Sequence, residues 1–308
     1  MDPTVPHYGE LAALLAAFIF AWTSVFFTAA GHRLGVTLVN LLRLPGAVLL
    51  LGLAHFARTG RLWPADLEPA AQVWIGLSGI VGLAVGDSAL FRSFTLVGPR
   101  RGMTVMALAP VFTVVVAWAL AAEHLGAQAL TGIAVVIGGV MLATGGHDPG
   151  GGRFRDLPAG LLRTGFLLAL VGAACQGLGS AFVKLGMGPG GGGVDPLGAT
   201  LVRLVWATVA YWLLVLPRQD RHELRRRLGD RRGLAALAVA VVLGPFLSVW
   251  ISLVAIKHTE AGVAQVLLGM VPIFVILPSW VVYRDQASPR SLLGVAAAIA
   301  GGALLFLR

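Results

Sequence analysis

The stretch ALAPVFTVVVAWALAAEHL, residues 107–125, returns in altered form as GMVPIFVILPSWVVYRDQA, residues 269–287. An offset of 162 lays Pro110 on Pro272, Phe112 on Phe274, Trp118 on Trp280 and Glu123 on Asp285. The same offset carries Gly132 onto Gly294 and Gly139 onto Gly301. Earlier in each half the offset shortens. At 160, Arg43 falls on Arg203 and Asn40 on Thr200; at 156, Ser24 falls on Ser180 and Phe26 on Phe182. The matches keep one order along both halves, so the chain reads as a tandem duplication.

Each copy is far too apolar for water. Of 308 residues, 57% are hydrophobic and 12% charged, where a soluble domain carries about 25% charged residues. Such a chain needs lipid as its solvent. Ten apolar runs approach the ~20 helical residues that cross a bilayer: Leu11–Ala30, Val36–Ala57, Ala71–Val97, Gly102–Ala122, Ala127–Thr144, Gly160–Leu185, Leu197–Leu216, Leu234–Ile256, Val263–Tyr283 and Leu292–Leu307. The runs are continuous, whereas barrel strands alternate over ~10 residues, and a helix satisfies its own backbone in lipid.

The fold class expected is an all-α integral membrane protein with ten transmembrane helices in two five-helix repeats. An odd number of helices per repeat forces the copies into opposite orientations, an architecture that recurs in transporters with a site between the repeats. The repeats span 9–146 and 160–308, joined by a linker over 147–159 at the Gly-rich stretch Gly145–Gly152. The second Gly-rich loop, Gly190–Gly193, lacks the Gly-Lys-Ser/Thr ending of a phosphate cradle and reads as a linker.

Charge and cysteine content exclude several classes. The single Cys175 permits no internal disulfide and no cysteine-based zinc cluster. The net charge of +9 gathers between apolar runs, above all in the seven arginines from Arg218 to Arg232. That pattern fits an orienting loop at an anionic membrane face rather than nucleic acid. Fifteen Lys and Arg fall on one side of the ten-helix layout and five on the other, which puts both termini outside. Arg outnumbers Lys 21 to 2 and Ala and Gly abound, which points to a bacterial inner membrane. The N-terminal apolar run is longer than a signal-peptide core and is read as a retained helix.

A charge at the bilayer centre costs roughly 2.5–3.5 kcal/mol on insertion scales and marks a candidate site. Arg43, Asp87, Arg92 and Arg203 lie inside predicted helices. Asn40 and Arg43 share one face, and Thr200 and Arg203 repeat the arrangement. The two arginines are expected to approach a shared cavity from opposite halves and attract a carboxylate-bearing solute; the alternative is snorkelling near helix ends. Asp87 is read either as a titrating, proton-coupling site or as a structural counter-ion to Arg43 or Arg92. Asp87 and Arg92 stand about 140° apart around their helix, so they cannot share a face. Gln176, Ser180 and Lys184 form a stripe with four-residue spacing, open to solute contact or to hydrogen bonding between helices. Trp22, Ser24, Trp250 and Gln265 complete the substrate-binding candidates. No residue pattern asks for a metal or cofactor.

The segment from Ala107-Leu108-Ala109-Pro110-Val111-Phe112 to Glu123, with its counterpart from Gly269 to Asp285, resembles the fourth helix of an EamA unit. The resemblance, to the EamA-type drug/metabolite transporter superfamily, extends over nearly the whole chain in two copies. It departs at Asp285-Gln286-Ala287, where the family usually has a Glu followed by a basic residue and Leu. It implies a secondary transporter, often an exporter, of small metabolites such as amino acids, working by alternating access around a midplane cavity. Its partners are then a small-molecule solute, a proton in the case of coupling, and the lipid bilayer. The competing classes are a membrane scaffold or sensor and a membrane-embedded enzyme. The latter finds no His-Glu-x-x-His pair, no paired membrane acids and no histidine cluster in support.

Overall fold

The computed structural model describes residues 7–97, 102, 105–121, 126–144, 158–188, 193–274, 277–278 and 289–306. The Gly145–Gly152 linker, the start of the Gly190 loop, Glu123, Trp280 and Asp285 lie outside them. The described residues form helices and connecting turns, with no strand among them. In the first half, α1 (Tyr8–Leu34), α2 (Val36–Thr59) and α3 (Pro69–Ser78) are followed by a π-helical segment, Gly79–Gly86, which leads directly into α4 (Asp87–Val97). Next come α5 (Ala109–Ala121) and α6 (Ala127–Thr144). The second half opens with α7 (Ala159–Met187), α8 (Pro196–Val215) and the short surface helix α9 (Arg221–Arg227). There follow α10 (Arg231–Val241), a second π segment (Val242–Ser248), α11 (Val249–His258), α12 (Ala261–Leu268), α13 (Val271–Phe274) and α14 (Pro289–Phe306).

Six stretches are long and apolar enough to cross a membrane: Tyr8–Leu34, Thr37–Thr59, Pro69–Leu90, Ala159–Met187, Pro196–Arg218 and Arg231–His258. The other expected segments are shorter among the described residues, at Ala109–Leu120, Ala127–Leu142 and Leu292–Leu304, and the ninth is interrupted after Leu268. Outward faces carry bare Leu49, Leu53, Trp118, Leu213 and Leu293, a surface suited to lipid.

The interruptions have a shared cause. Proline has no N–H to give to the carbonyl four residues back. On either side of Pro110, Leu108 N bonds Val105 O and Val111 N bonds Leu108 O, both at 3.0 Å. On either side of Pro272, Met270 N bonds Leu267 O at 3.1 Å and Ile273 N bonds Met270 O at 2.9 Å. All four bonds reach back three residues, and the two pairs correspond at the 162 offset. The π segments obey the same offset, since Gly86 maps onto Ser248 and Asp87, which opens α4, onto Val249, which opens α11.

Helix directions follow from contacts at their ends. Tyr8, opening α1, packs edge-on against His258, closing α11, at 4.9 Å. Lys184, near the end of α7, donates to Ile256 O at 3.0 Å and Thr259 O at 2.6 Å. Thus α7 ends where α1 begins, and the two run oppositely. Gln128, opening α6, donates to Leu304 O near the end of α14 at 3.3 Å, so that pair is antiparallel too. Glycines permit the close crossing. A Cβ on Gly139 would lie 2.5 Å from Ala298 N, and one on Gly301 would lie 2.7 Å from Val136 N.

Candidate functional site

The centre of the bundle is polar where four helical stretches meet. Arg43 from α2 extends Nη2 to Asp87 Oδ2 in an ion pair. Gln176 of α7 donates Nε2 to the other carboxylate oxygen, Asp87 Oδ1, at 3.0 Å. Arg203 of α8 completes the group. Its Nη2 and Gln176 Oε1 converge on Gly82, where a Cβ would sit 3.3 Å from the first and 3.6 Å from the second. Arg43, Asp87 and Arg203 are only 8%, 7% and 5% exposed. Removing one partner from such a buried pair costs about 3–5 kcal/mol, because the other charge is left bare.

Local sequence explains this meeting. Gly79 lets the third span touch α8 backbone to backbone: a Cβ there would fall 2.1 Å from Arg203 O. The π segment that follows turns Asp87 inward at the start of α4. Asp195 sets the start of α8, accepting from Gly198 N at 3.3 Å ahead of Pro196 at the first helical position. Asn40, one turn before Arg43, is buried and meets the Tyr211 side chain.

Every member of the α7 stripe reaches a different neighbour. Gln176 takes Asp87, Ser180 Oγ donates to Gln265 Oε1 of α12 at 2.6 Å, and Lys184 takes the two carbonyls at the end of α11. The stripe therefore ties α7 to three other elements.

Several expected residues stand apart from this cluster. Arg92, expected at the cavity, is exposed on α4, about 140° around the helix from buried Asp87. Ser24 Oγ donates to Ala21 O at 2.6 Å, and fully buried Thr200 donates to Pro196 O at 2.7 Å, so both hydroxyls bond within their own helices. Trp250 is half-buried against Phe246, with ring centroids 6.3 Å apart, and Trp22 is half-buried on α1. Tyr211 was not anticipated; its distance of eight residues from Arg203 along α8 was the available signal.

A cavity of about 190 Å³ lies at the far end of α1, lined by Leu34, Gly35, Asp220, Glu223 and Arg227 among others, and not by the central cluster. Arg227 Nη1 donates to Leu34 O at 3.1 Å and Arg33 pairs with Asp230 at 3.3 Å, so α9 and the start of α10 hold the α1–α2 turn.

Residues 7–145 and 163–307 each match the EamA-like transporter family. The chain belongs to that family. The EamA repeats divide the cluster between them: Arg43 and Asp87 come from the first, Gln176 and Arg203 from the second. A solved structure titled "Crystal structure of protein" is similar over 98% of both chains, with a TM-score of 0.76 at 18% identity, a likeness of fold alone. No curated protein sequence matches the chain. As a family of membrane transporters, EamA proteins handle small solutes, which makes this chain a multi-pass membrane protein of that kind.

Proposed function

We propose that the protein is a secondary transporter, and in the outward direction an exporter, of small carboxylate-bearing metabolites such as amino acids. In this reading ten spans form two inverted five-helix repeats, 9–146 and 160–308, joined by 147–159, in a bacterial inner membrane. The halves rock about the central cluster and expose it alternately to either side.

One observation carries the reading: a buried carboxylate and two buried arginines meet a half-buried amide, drawn from both repeats, inside an apolar bundle. Charges are costly there and persist where they serve a solute or ion path. Beside them, two spans are interrupted at matched positions, and transporters commonly build midplane sites from discontinuous helices. The directions of α1 against α7 and of α6 against α14 agree with inversion. Asp87 serves as the coupling group, exchanging a proton when its pairing with Arg43 opens; Arg203 and Gln176 are the other polar groups around it. Ser180 and Gln265 extend the solute path along α7.

The test is flux. Purified protein in proteoliposomes, given labelled amino acids and other carboxylates with and without a pH gradient, should move at least one solute faster than protein-free vesicles. Equal rates for every solute would defeat the reading.

A further inference from the structure

The two halves differ at the point where their repeat matters most. Arg43 and Arg203 occupy the same repeat position, yet only Arg43 has an acid. Asp87 accepts from Arg43 at Oδ2 and from Gln176 at Oδ1. Arg203 makes no salt bridge or hydrogen bond among the described residues, and its Nε is buried without a partner. Asp87 acts on it only through space. The offset that carries Asp87 through the repeat lands on Val249, the residue that likewise opens a helix after a π segment. The second half keeps the arginine and holds a valine where its counter-ion belongs.

A bare guanidinium in a low-dielectric interior is costly unless something pairs it. Its planar fork matches a carboxylate through two parallel hydrogen bonds. We propose that the solute's own carboxylate takes the place of the missing acid, docking on Arg203 beside Gln176, next to Gly82. Among the described residues the cluster holds two arginines and one aspartate, an excess of one positive charge that a singly charged carboxylate neutralises. The inference rests on the carrier reading and adds the anchoring residue and the charge class of the solute: monocarboxylates, ahead of dicarboxylates and of the corresponding amides.

The test uses the purified full chain in detergent. Binding of acetate, benzoate, succinate and the twenty common amino acids, each beside its amide, is followed by melting temperature and calorimetry. At least one monocarboxylate should bind while its amide does not. Val249→Asp supplies an internal counter-ion and should weaken that carboxylate by about ten- to hundred-fold, as should Arg203→Gln; Val249→Asn, without the charge, should not. If Val249→Asp fails to fold, the comparison of Arg203→Lys with Arg203→Gln and the wild-type carboxylate–amide pairs still decide. Equal binding of acids and amides, no carboxylate binding at all, or full affinity in a folded Val249→Asp protein each overturns the proposal. The two readings separate in vesicles. Flux indifferent to Arg203→Gln leaves a carrier without this anchor, and carboxylate binding without any flux leaves the anchor without a carrier.

Discussion

Arg43 and Asp87 are 44 residues apart in sequence and joined by an ion pair at the junction of the two EamA repeats. The pair fastens α2 to the end of the first π segment, while Gln176 fastens the same carboxylate to α7. One acid thus holds three stretches of the bundle together, and its charge state bears on all of them.

Asp87→Asn keeps the shape of the side chain and removes the charge facing Arg43. The melting temperature of the purified protein should fall, by the equivalent of about 3–5 kcal/mol at most. Flux into proteoliposomes should lose its dependence on pH. A variant whose rate tracks pH as the wild type does would remove Asp87 from coupling.

Gly139 and Gly301 each face the other's helix at a distance that leaves no room for a methyl group. Gly139→Val and Gly301→Val should each separate α6 from α14 and cost about 1–3 kcal/mol by overpacking. Because both act on one contact, the double variant should lose less than the sum of the two. Thermal unfolding of the three proteins checks this, and strict additivity would count against a single shared crossing.

Ser180 and Gln265 are bonded at 2.6 Å between α7 and α12. In a double-mutant cycle with Ser180→Ala and Gln265→Ala, the coupling should be near the ~0.6 kcal/mol typical of hydrogen bonds between membrane helices. A coupling indistinguishable from zero would show that the two side chains contribute separately.

Outside the membrane, the hydrogen bond from Arg227, assisted by Arg226, holds the Glu223 carboxyl below the usual carboxylate range. A folded-state value below the unfolded one stabilises the protein above the unfolded pKa and ceases to do so as pH falls through the folded value. Wild type should therefore be more stable than Glu223→Gln at neutral pH, and the difference should fade below about pH 4. Added salt should shrink it as well, since the side chain is about a third open to solvent. A difference unchanged in acid would assign the effect to packing.

Much of this was legible in the sequence. Periodicity and hydropathy are local properties, and they disclosed the duplication, the apolar runs and the helix content. Arg43, Asp87 and Arg203 stood out because charges are rare in apolar runs, and the Gln176–Ser180–Lys184 stripe because four-residue spacing defines a helix face. The choice among partners was hidden. Asp87 prefers Arg43 to Arg92 because of how α2 approaches the third span, which depends on Gly79 lying against α8. Sequence likewise does not reveal that the Ser24 and Thr200 hydroxyls each donate to a carbonyl of their own helix. The π segments were also out of reach, being a matter of tertiary packing rather than of residue preference.

The π segments fix the azimuth of everything that follows them. A π turn inserts one residue, and each residue of an ordinary helix advances the phase by about 100°. Rewinding residues 79–86 as an ordinary helix would leave the span equally greasy, yet swing Asp87 by about 100° away from Arg43. Arg43 would then lose the acid it pairs with, through a change that no hydropathy profile would register.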